Sequence, residues 1–192
     1  MSGRIRVGIW LPFTATQRCD GKSFLWRASV GLGPLRLLEV TDRYEDGKGS
    51  TTGKLLGQWA LFEQTDANVV RSAAARAALE ALFAPRALLP GRGYAWCAVS
   101  DEHIVASTEN PPEQVEVHLR IAPDGRLLSV AAQRWGEVRK GVFAYLPFGA
   151  DMHEERRFGD LVIPSRVSAG WNYGTDTYRP FFSATITAAS QA

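Results

Sequence analysis

Apolar and polar residues alternate with period two along most of this chain, and one stretch alone takes up the period of a helix. Over residues 4–11, Ile5, Val7, Ile9 and Leu11 fall on one side and Arg4, Arg6, Gly8 and Trp10 on the other, the pattern of a half-buried strand. Asp20-Gly21 predicts a turn into residues 23–30, where Phe24, Trp26, Ala28 and Val30 share a face, and residues 31–34 predict another turn. Residues 35–42 and 53–62 read as strands flanking the hairpin signal Asp46-Gly47. Past the helical stretch, residues 94–99 pair with 103–107 across Ser100-Asp101-Glu102, and Pro111-Pro112 interrupts the pattern. The clearest hairpin runs from the alternating Val115, Val117, Leu119 and Ile121 through Asp124-Gly125 into residues 127–135. Residues 142–148, 154–158, 161–171 and 178–187 complete about ten strands.

The helical stretch is residues 67–90. Asp66 is placed to cap it, its alanines favour helix, and Pro85 ends it by lacking an amide donor and restricting Ala84. At 100° per residue, Val70, Ala74, Ala77, Ala78 and Ala81 form a small-sided face that a sheet can approach closely. Val69, Ala73, Arg76, Glu80 and Phe83 form another, which sets an ion pair one turn apart between apolar neighbours. Such a pair contributes only about 0.2–0.5 kcal/mol when solvated; the alternative is a polar pair facing an enclosed pocket. Consecutive hairpins imply an antiparallel meander, and a sheet of this size curls. The expected fold is α+β: a strongly curved antiparallel sheet or open barrel with one main helix inserted mid-chain, in one domain spanning residues 1–192.

Composition adds few constraints. With 192 residues, 45% hydrophobic and 22% charged, the chain can bury one sizeable core, and a net charge of +2 leaves no electrostatic footprint for nucleic acid. No window approaches the length of a membrane span, and the N-terminal apolar run is too short for a signal peptide, so the chain reads as soluble and cytoplasmic. Cys19 and Cys97 could form at most one disulfide and read as free, buried thiols. Residues 49–54, GSTTGK, resemble the end of a phosphate loop, but Lys48 stands in place of the first glycine and Leu55 in place of the Ser or Thr, so no cofactor is implied. His103, His118 and His153 lie on different strands. Asp151, His153, Glu154 and Glu155 cluster in sequence, yet neighbours on a strand point to opposite faces, so no metal site is expected.

Aromatic residues carry more of the signal. Trp10, Phe13, Phe24, Trp26, Trp96, Trp135 and Trp171 are placed to build an aromatic interior. Arg134 shares strand parity with Leu128, Val130 and Ala132 and so points to an apolar face, where a lone charge is costly and a partner is required, either Glu80 or a ligand carboxylate.

The chain resembles a family of uncharacterised bacterial proteins grouped as a domain of unknown function. The matching motifs are Trp10-Leu-Pro-Phe13 with Gln17, Phe24-Leu-Trp26, and Asp42-Arg-Tyr44 with Gly47 and Gly49. A longer block runs from Arg76 through Glu80, Phe83 and Pro85 to Ala87-Leu-Leu-Pro90, and Trp96, the Arg134 strand, Gly159, Ile163-Pro164-Ser165 and Trp171 continue it. Relatives often carry a further N-terminal portion, sometimes with membrane helices, which this chain is expected to lack. The resemblance implies no activity. It does imply a fold similar to the half-barrel of the LolA/LolB lipoprotein carriers and of the cofactor-free enzyme VioE, which leaves a cleft between sheet and helix.

Three functions follow as alternatives. One is non-catalytic binding or carrying of a hydrophobic, lipid-like ligand, with Arg76, Glu80, Phe83, Arg134, Trp10, Trp26, Trp96 and Trp171 as pocket candidates. Another is a cofactor-independent enzyme in which Glu80 is the acid/base and Arg76 or Arg134 clamps an anion. The third is a structural or partner-binding module with a closed core.

Overall fold

The computed structural model describes residues 1–32 and 35–191; Gly33-Pro34, within the predicted turn at 31–34, lies outside the described residues. Among the described residues, thirteen antiparallel strands form one sheet. The first six are β1 (Ser2–Val7), β2 (Ile9–Cys19), β3 (Phe24–Leu32), β4 (Leu35–Glu45), β5 (Lys48–Leu55) and β6 (Trp59–Gln64). Helix α1 (Ala67–Glu80) and two short 3-10 turns, Ala81–Phe83 and Pro85–Leu88, come next. The second half holds β7 (Ala95–Ser100), β8 (His103–Asn110), β9 (Glu113–Ile121), β10 (Leu127–Arg139), β11 (Val142–Phe158), β12 (Leu161–Trp171) and β13 (Phe182–Thr185).

The order across the sheet is β6-β5-β4-β3-β2-β1-β13-β12-β11-β10-β9-β8-β7. The chain therefore meanders outward along one wing, crosses by way of α1 to the far edge, and meanders back along the other. The wings meet in the middle, where Ser2–Ile5 of β1 pair with Phe182–Thr185 of β13. Helix α1 touches β4 and β5 on one wing and β8, β9 and β10 on the other. Strands so far apart in the order can reach one helix only if the sheet curls around it. The sheet is not closed: β6 and β7 are its two edges. No helix is long and apolar enough to cross a membrane among the described residues.

Thirteen strands replace the expected ten or so because turns hide inside alternating runs. The run over 4–11 is two strands, broken by Gly8 at φ 73°, a conformation open to glycine at no cost. The run over 53–62 is broken in the same way by Leu56 and Gly57, and Pro111-Pro112 is the two-residue turn of the β8–β9 hairpin. In the opposite direction, 142–148 and 154–158 are one strand of 17 residues, since the small residues Gly149 and Ala150 keep their ladder partners on both sides. Only four residues of the expected strand 178–187 pair, as β13.

The helix is shorter than residues 67–85. Asp66 caps it, its carboxylate accepting the amides of Asn68 and Val69 at 2.7 and 3.4 Å, but the α-helical bonds stop at Glu80, and 3-10 turns carry the chain to Leu88. Ala73, Ala74, Ala75, Ala77, Ala78, Leu79 and Ala81 are all buried, so the helix is wrapped on more than one face. They pack with Phe13, Phe24, Trp26 and Tyr44 of one wing and Val115, Val117, Leu119, Val130 and Ala132 of the other in one cluster. The aromatic interior is thus narrower than expected. Trp10, Trp135 and Trp171 are half-buried, and Trp96 is exposed on edge strand β7, where its indole N–H donates to the Leu88 carbonyl at 3.0 Å. Cys97, on the same edge, is also exposed rather than buried, and Cys19 is half-buried; both thiols are free.

Close approach of helix and sheet depends on small residues on both sides. A Cβ on Gly49 of β5 would sit 2.9 Å from Val70 Cα and 3.1 Å from Ala73 Cβ, and the first of these is main chain that cannot swing away. Gly49→Val is therefore expected to push α1 off β5 and cost about 1–3 kcal/mol, measured by urea unfolding; a loss under about 0.5 kcal/mol would show that the helix does not rest there.

Candidate functional site

Arg76 projects from the middle of α1 into the wing formed by β3 and β4. Its Nη1 donates to Asp42 Oδ2 at 2.5 Å and its Nε to Glu80 Oε1 at 2.6 Å, and its guanidinium lies 4.6 Å from the Phe24 ring centre and 5.3 Å from that of Trp26. The side chains of Arg76, Asp42 and Glu80 keep only 18%, 19% and 15% of their accessible surface, so this is a buried triad and not a solvated pair. Burial works against the charge on Arg76, but Glu80 and Asp42 outweigh it and its pKa is raised. One oxygen of each carboxylate, Asp42 Oδ1 and Glu80 Oε2, is buried without a hydrogen-bond partner among the described residues, as is Trp26 Nε1.

Asp42 is the member that the strand pattern should have revealed. In β4 it follows Leu38 and Val40 and precedes Tyr44 on a single parity, the reasoning that places Arg134 on an apolar face. Its register partner across the ladder is Trp26.

Arg134 of β10 lies on the other side of the helix. Its partner is not Glu80: its Nε donates to the Ser72 carbonyl at 3.1 Å and to Ser72 Oγ at 3.2 Å, and its guanidinium lies 4.8 Å from the Phe148 ring centre and 5.2 Å from that of Trp171, two rings that meet each other edge to face 5.0 Å apart. Its terminal amines make no hydrogen bond or ion pair to protein among the described residues. Desolvation first, and then repulsion from Arg76, push its pKa down to about 10 against the attraction of Asp42 and Glu80. At neutral pH the guanidinium is still charged.

Between the two arginines lies a cavity of about 250 Å³. Its wall includes Phe24, Asp42, Ser72, Arg76, Arg134, Trp135, Phe143 and Trp171. Asp66 and Glu137 also reach it, but each already accepts backbone amides, Asp66 as the helix cap and Glu137 from Gly141 at 2.7 Å. The wall therefore mixes charges with rings: Arg76 of α1, Asp42 of β4 and Arg134 of β10 stand beside Trp135, Phe143 and Trp171.

Of the residues expected to share a pocket, the structure gathers Arg76, Arg134 and Trp171 on this wall. Glu80 and Trp26 stand behind Arg76. Phe83, in the first 3-10 turn, packs against the main apolar cluster and against a smaller one of Leu161, Ile163 and Ile186, and Trp10 and Trp96 lie outside the cavity wall. Burial, and then the Glu80 carboxylate, push the Cys19 thiol up to about 11, so it is protonated at neutral pH.

A second cluster borders the first. Arg71 donates from Nε to Glu113 and from Nη2 to Tyr145 Oη at 2.6 Å, Tyr145 in turn donates to Glu113, and the Arg71 guanidinium lies 4.0 Å over Trp135. Trp135 Nε1 donates to Asn68 at 2.9 Å, so these residues bind the start of α1 to β9, β10 and β11. Nothing in the alternation of any one strand marks this set, because its members come from four elements.

The three histidines lie on different strands, as expected, but His103 Nε2 and His118 Nδ1 come within 3.0 Å of each other across the adjacent strands β8 and β9. His153 instead meets Ser168 Oγ at 2.8 Å, while Asp151 accepts from Tyr173 Oη at 2.6 Å. Among the described residues, no group of three or more His, Cys, Asp or Glu is arranged to hold a metal ion.

No curated protein and no solved structure matches the chain. A family model does match, over residues 1–184, and on that match the chain belongs to a family of unknown function, DUF6544.

Proposed function

We propose that this protein is a non-catalytic binding module whose cavity takes a small molecule with a carboxylate or similar two-pronged acceptor at one end and a planar or branched apolar body at the other. One observation carries the reading: Arg134 lies against the edge-to-face pair Phe148 and Trp171 and is anchored through Nε alone, so its terminal amines are left for a bidentate acceptor. Arg76 is already satisfied by two carboxylates, which leaves Arg134 as the cation with capacity to spare. Trp171, Phe143 and Trp135 then supply the apolar contact.

The size argues for a small ligand. Pockets for drug-sized molecules span about 300–1,000 Å³, and a cavity of about 250 Å³ lies just below that range. A lipid-like ligand fits this reading only with its head at Arg134 and its chain leaving the cavity. Catalysis by Glu80 has less support, since Glu80 is bonded to Arg76 and does not line the cavity.

Two measurements separate a binding role for Arg134 from the structural role of the triad. Arg134→Met should abolish the thermal shift produced by small aromatic or branched carboxylates, and should remove any co-purifying ligand seen by native mass spectrometry. Its stability should stay within about 1 kcal/mol of wild type, because removing a buried charge that has no carboxylate partner offsets the lost Ser72 bonds. Retained binding in Arg134→Met, or no response of the wild type to any such carboxylate, overturns the reading. Glu80→Ala should lose about 2–3 kcal/mol in urea unfolding, because Asp42 still compensates Arg76, and adding Asp42→Ala should cost more than the sum of the single losses. Additive small losses would mean that the triad is solvated.

A further inference from the structure

We infer that one end of the β1–β6 wing, at the β1–β2 turn, the start of β4 and the β5–β6 turn, forms a docking surface for an anionic lipid bilayer. The inference is independent of the cavity. In an antiparallel meander alternate connections emerge at the same end, so the β1–β2 turn, the start of β4 and the β5–β6 turn lie at one end of the wing, and the β2–β3 and β4–β5 turns lie opposite. With strands about 4.8 Å apart, neighbours among these three places are about 10 Å from each other and together they span about 20 Å.

The two ends of this wing differ sharply in chemistry. The opposite tips are the polar turns Asp20-Gly21-Lys22-Ser23 and Glu45-Asp46-Gly47-Lys48. The other end instead exposes large apolar side chains: Val7 and Ile9 flank the β1–β2 turn at 56% and 69% exposure, Leu35 begins β4 at 55%, and Leu56 and Trp59 border the β5–β6 turn at 46% and 58%. Leu56 holds φ 51°, a conformation disfavoured for leucine, in a turn where an exposed side chain gains nothing from packing. Apolar groups grouped in this way require a partner that removes them from water.

Charge selects the partner. Each of the three places adds an exposed cation beside its apolar residues: Arg6 at the β1–β2 turn, Arg36 at the start of β4 and Lys54 before the β5–β6 turn. Glu39, which stands across the ladder from Lys54, is half-buried and lies against Gly57. A second copy of the chain docked by symmetry would set these cations against their equals. An anionic leaflet meets the cations with its headgroups and admits the apolar tips to the acyl boundary, the combination of two weak signals that gives stable peripheral binding. Each cation multiplies the partition about fivefold and each inserted large apolar side chain about tenfold.

The test is co-sedimentation of the full chain with vesicles of phosphatidylcholine alone and of phosphatidylcholine mixed equally with phosphatidylglycerol. Binding is expected to the mixed vesicles, to weaken as salt is raised, and to be at least tenfold weaker to the neutral ones. Arg6→Glu, Arg36→Glu and Lys54→Glu combined should abolish it, and Ile9→Ser with Trp59→Ser should weaken it at least tenfold. All five sites are exposed, so circular dichroism and thermal unfolding should match wild type. Equal binding to both vesicle types, unchanged binding in both variants, or no binding at all overturns the inference. A wild-type dimer by light scattering that Trp59→Ser dissolves, with no vesicle binding, assigns the surface to a second copy instead.

Discussion

A charged group on a helix wrapped on several sides must be neutralised by whatever wraps it, and in this protein that requirement falls on Arg76. Its guanidinium is buried between α1 and β3–β4, and Asp42 answers it from the sheet. Removing both groups from water costs more than a bond at the surface would return, so the triad specifies a position more than it stabilises the fold. Helix α1 can slide or rotate along the alanine face with little change in apolar burial, because alanines are nearly interchangeable. It cannot do so without taking Arg76 away from Asp42. The Arg71, Glu113, Tyr145 and Trp135 cluster fixes the start of the helix to the other wing by the same logic.

The two inner arginines show how similar residues come to differ. Arg76 meets two carboxylates and two aromatic rings; Arg134 meets two aromatic rings and one serine. The four charges Arg76, Arg134, Asp42 and Glu80 sum to zero, yet both carboxylates bind the same arginine. This uneven sharing is what makes a polar wall in a cavity that composition and aromatic content describe as apolar.

Much of the architecture was legible in the chain, and the failures have identifiable causes. Alternation marks strands well but is blind to a tight turn that preserves parity: Gly8, and Leu56-Gly57, reverse the chain between residues that continue the same apolar and polar rhythm. The clear hairpin of β9 and β10 was read as a pair because Asp124-Gly125 announces its turn, but the register shift between Leu127 and Ser129 leaves no mark in the alternation. For the site, single-element patterns located Arg76, Glu80 and Arg134 and could have located Asp42. They could not place Trp171 against Arg134, bring His103 to His118, or show that Trp96 would end on an edge. Those facts depend on which strands become neighbours.

The central pairing of β1 with β13 has a kinetic consequence. Each wing is a meander of neighbouring hairpins, whose loops close at small entropic cost, whereas β1 and β13 join residues from the two ends of the sequence through four register pairs. The wings are therefore expected to order first and the middle of the sheet last, the reverse of a sheet that grows from its centre. Pulse-labelled hydrogen exchange would then show amides of the β9–β10 and β3–β4 hairpins protected before those of Gly3 and Ala184. Until that final ladder zips, the two halves can turn about α1 like covers about a spine, and the cavity between the arginines takes its shape only when they close.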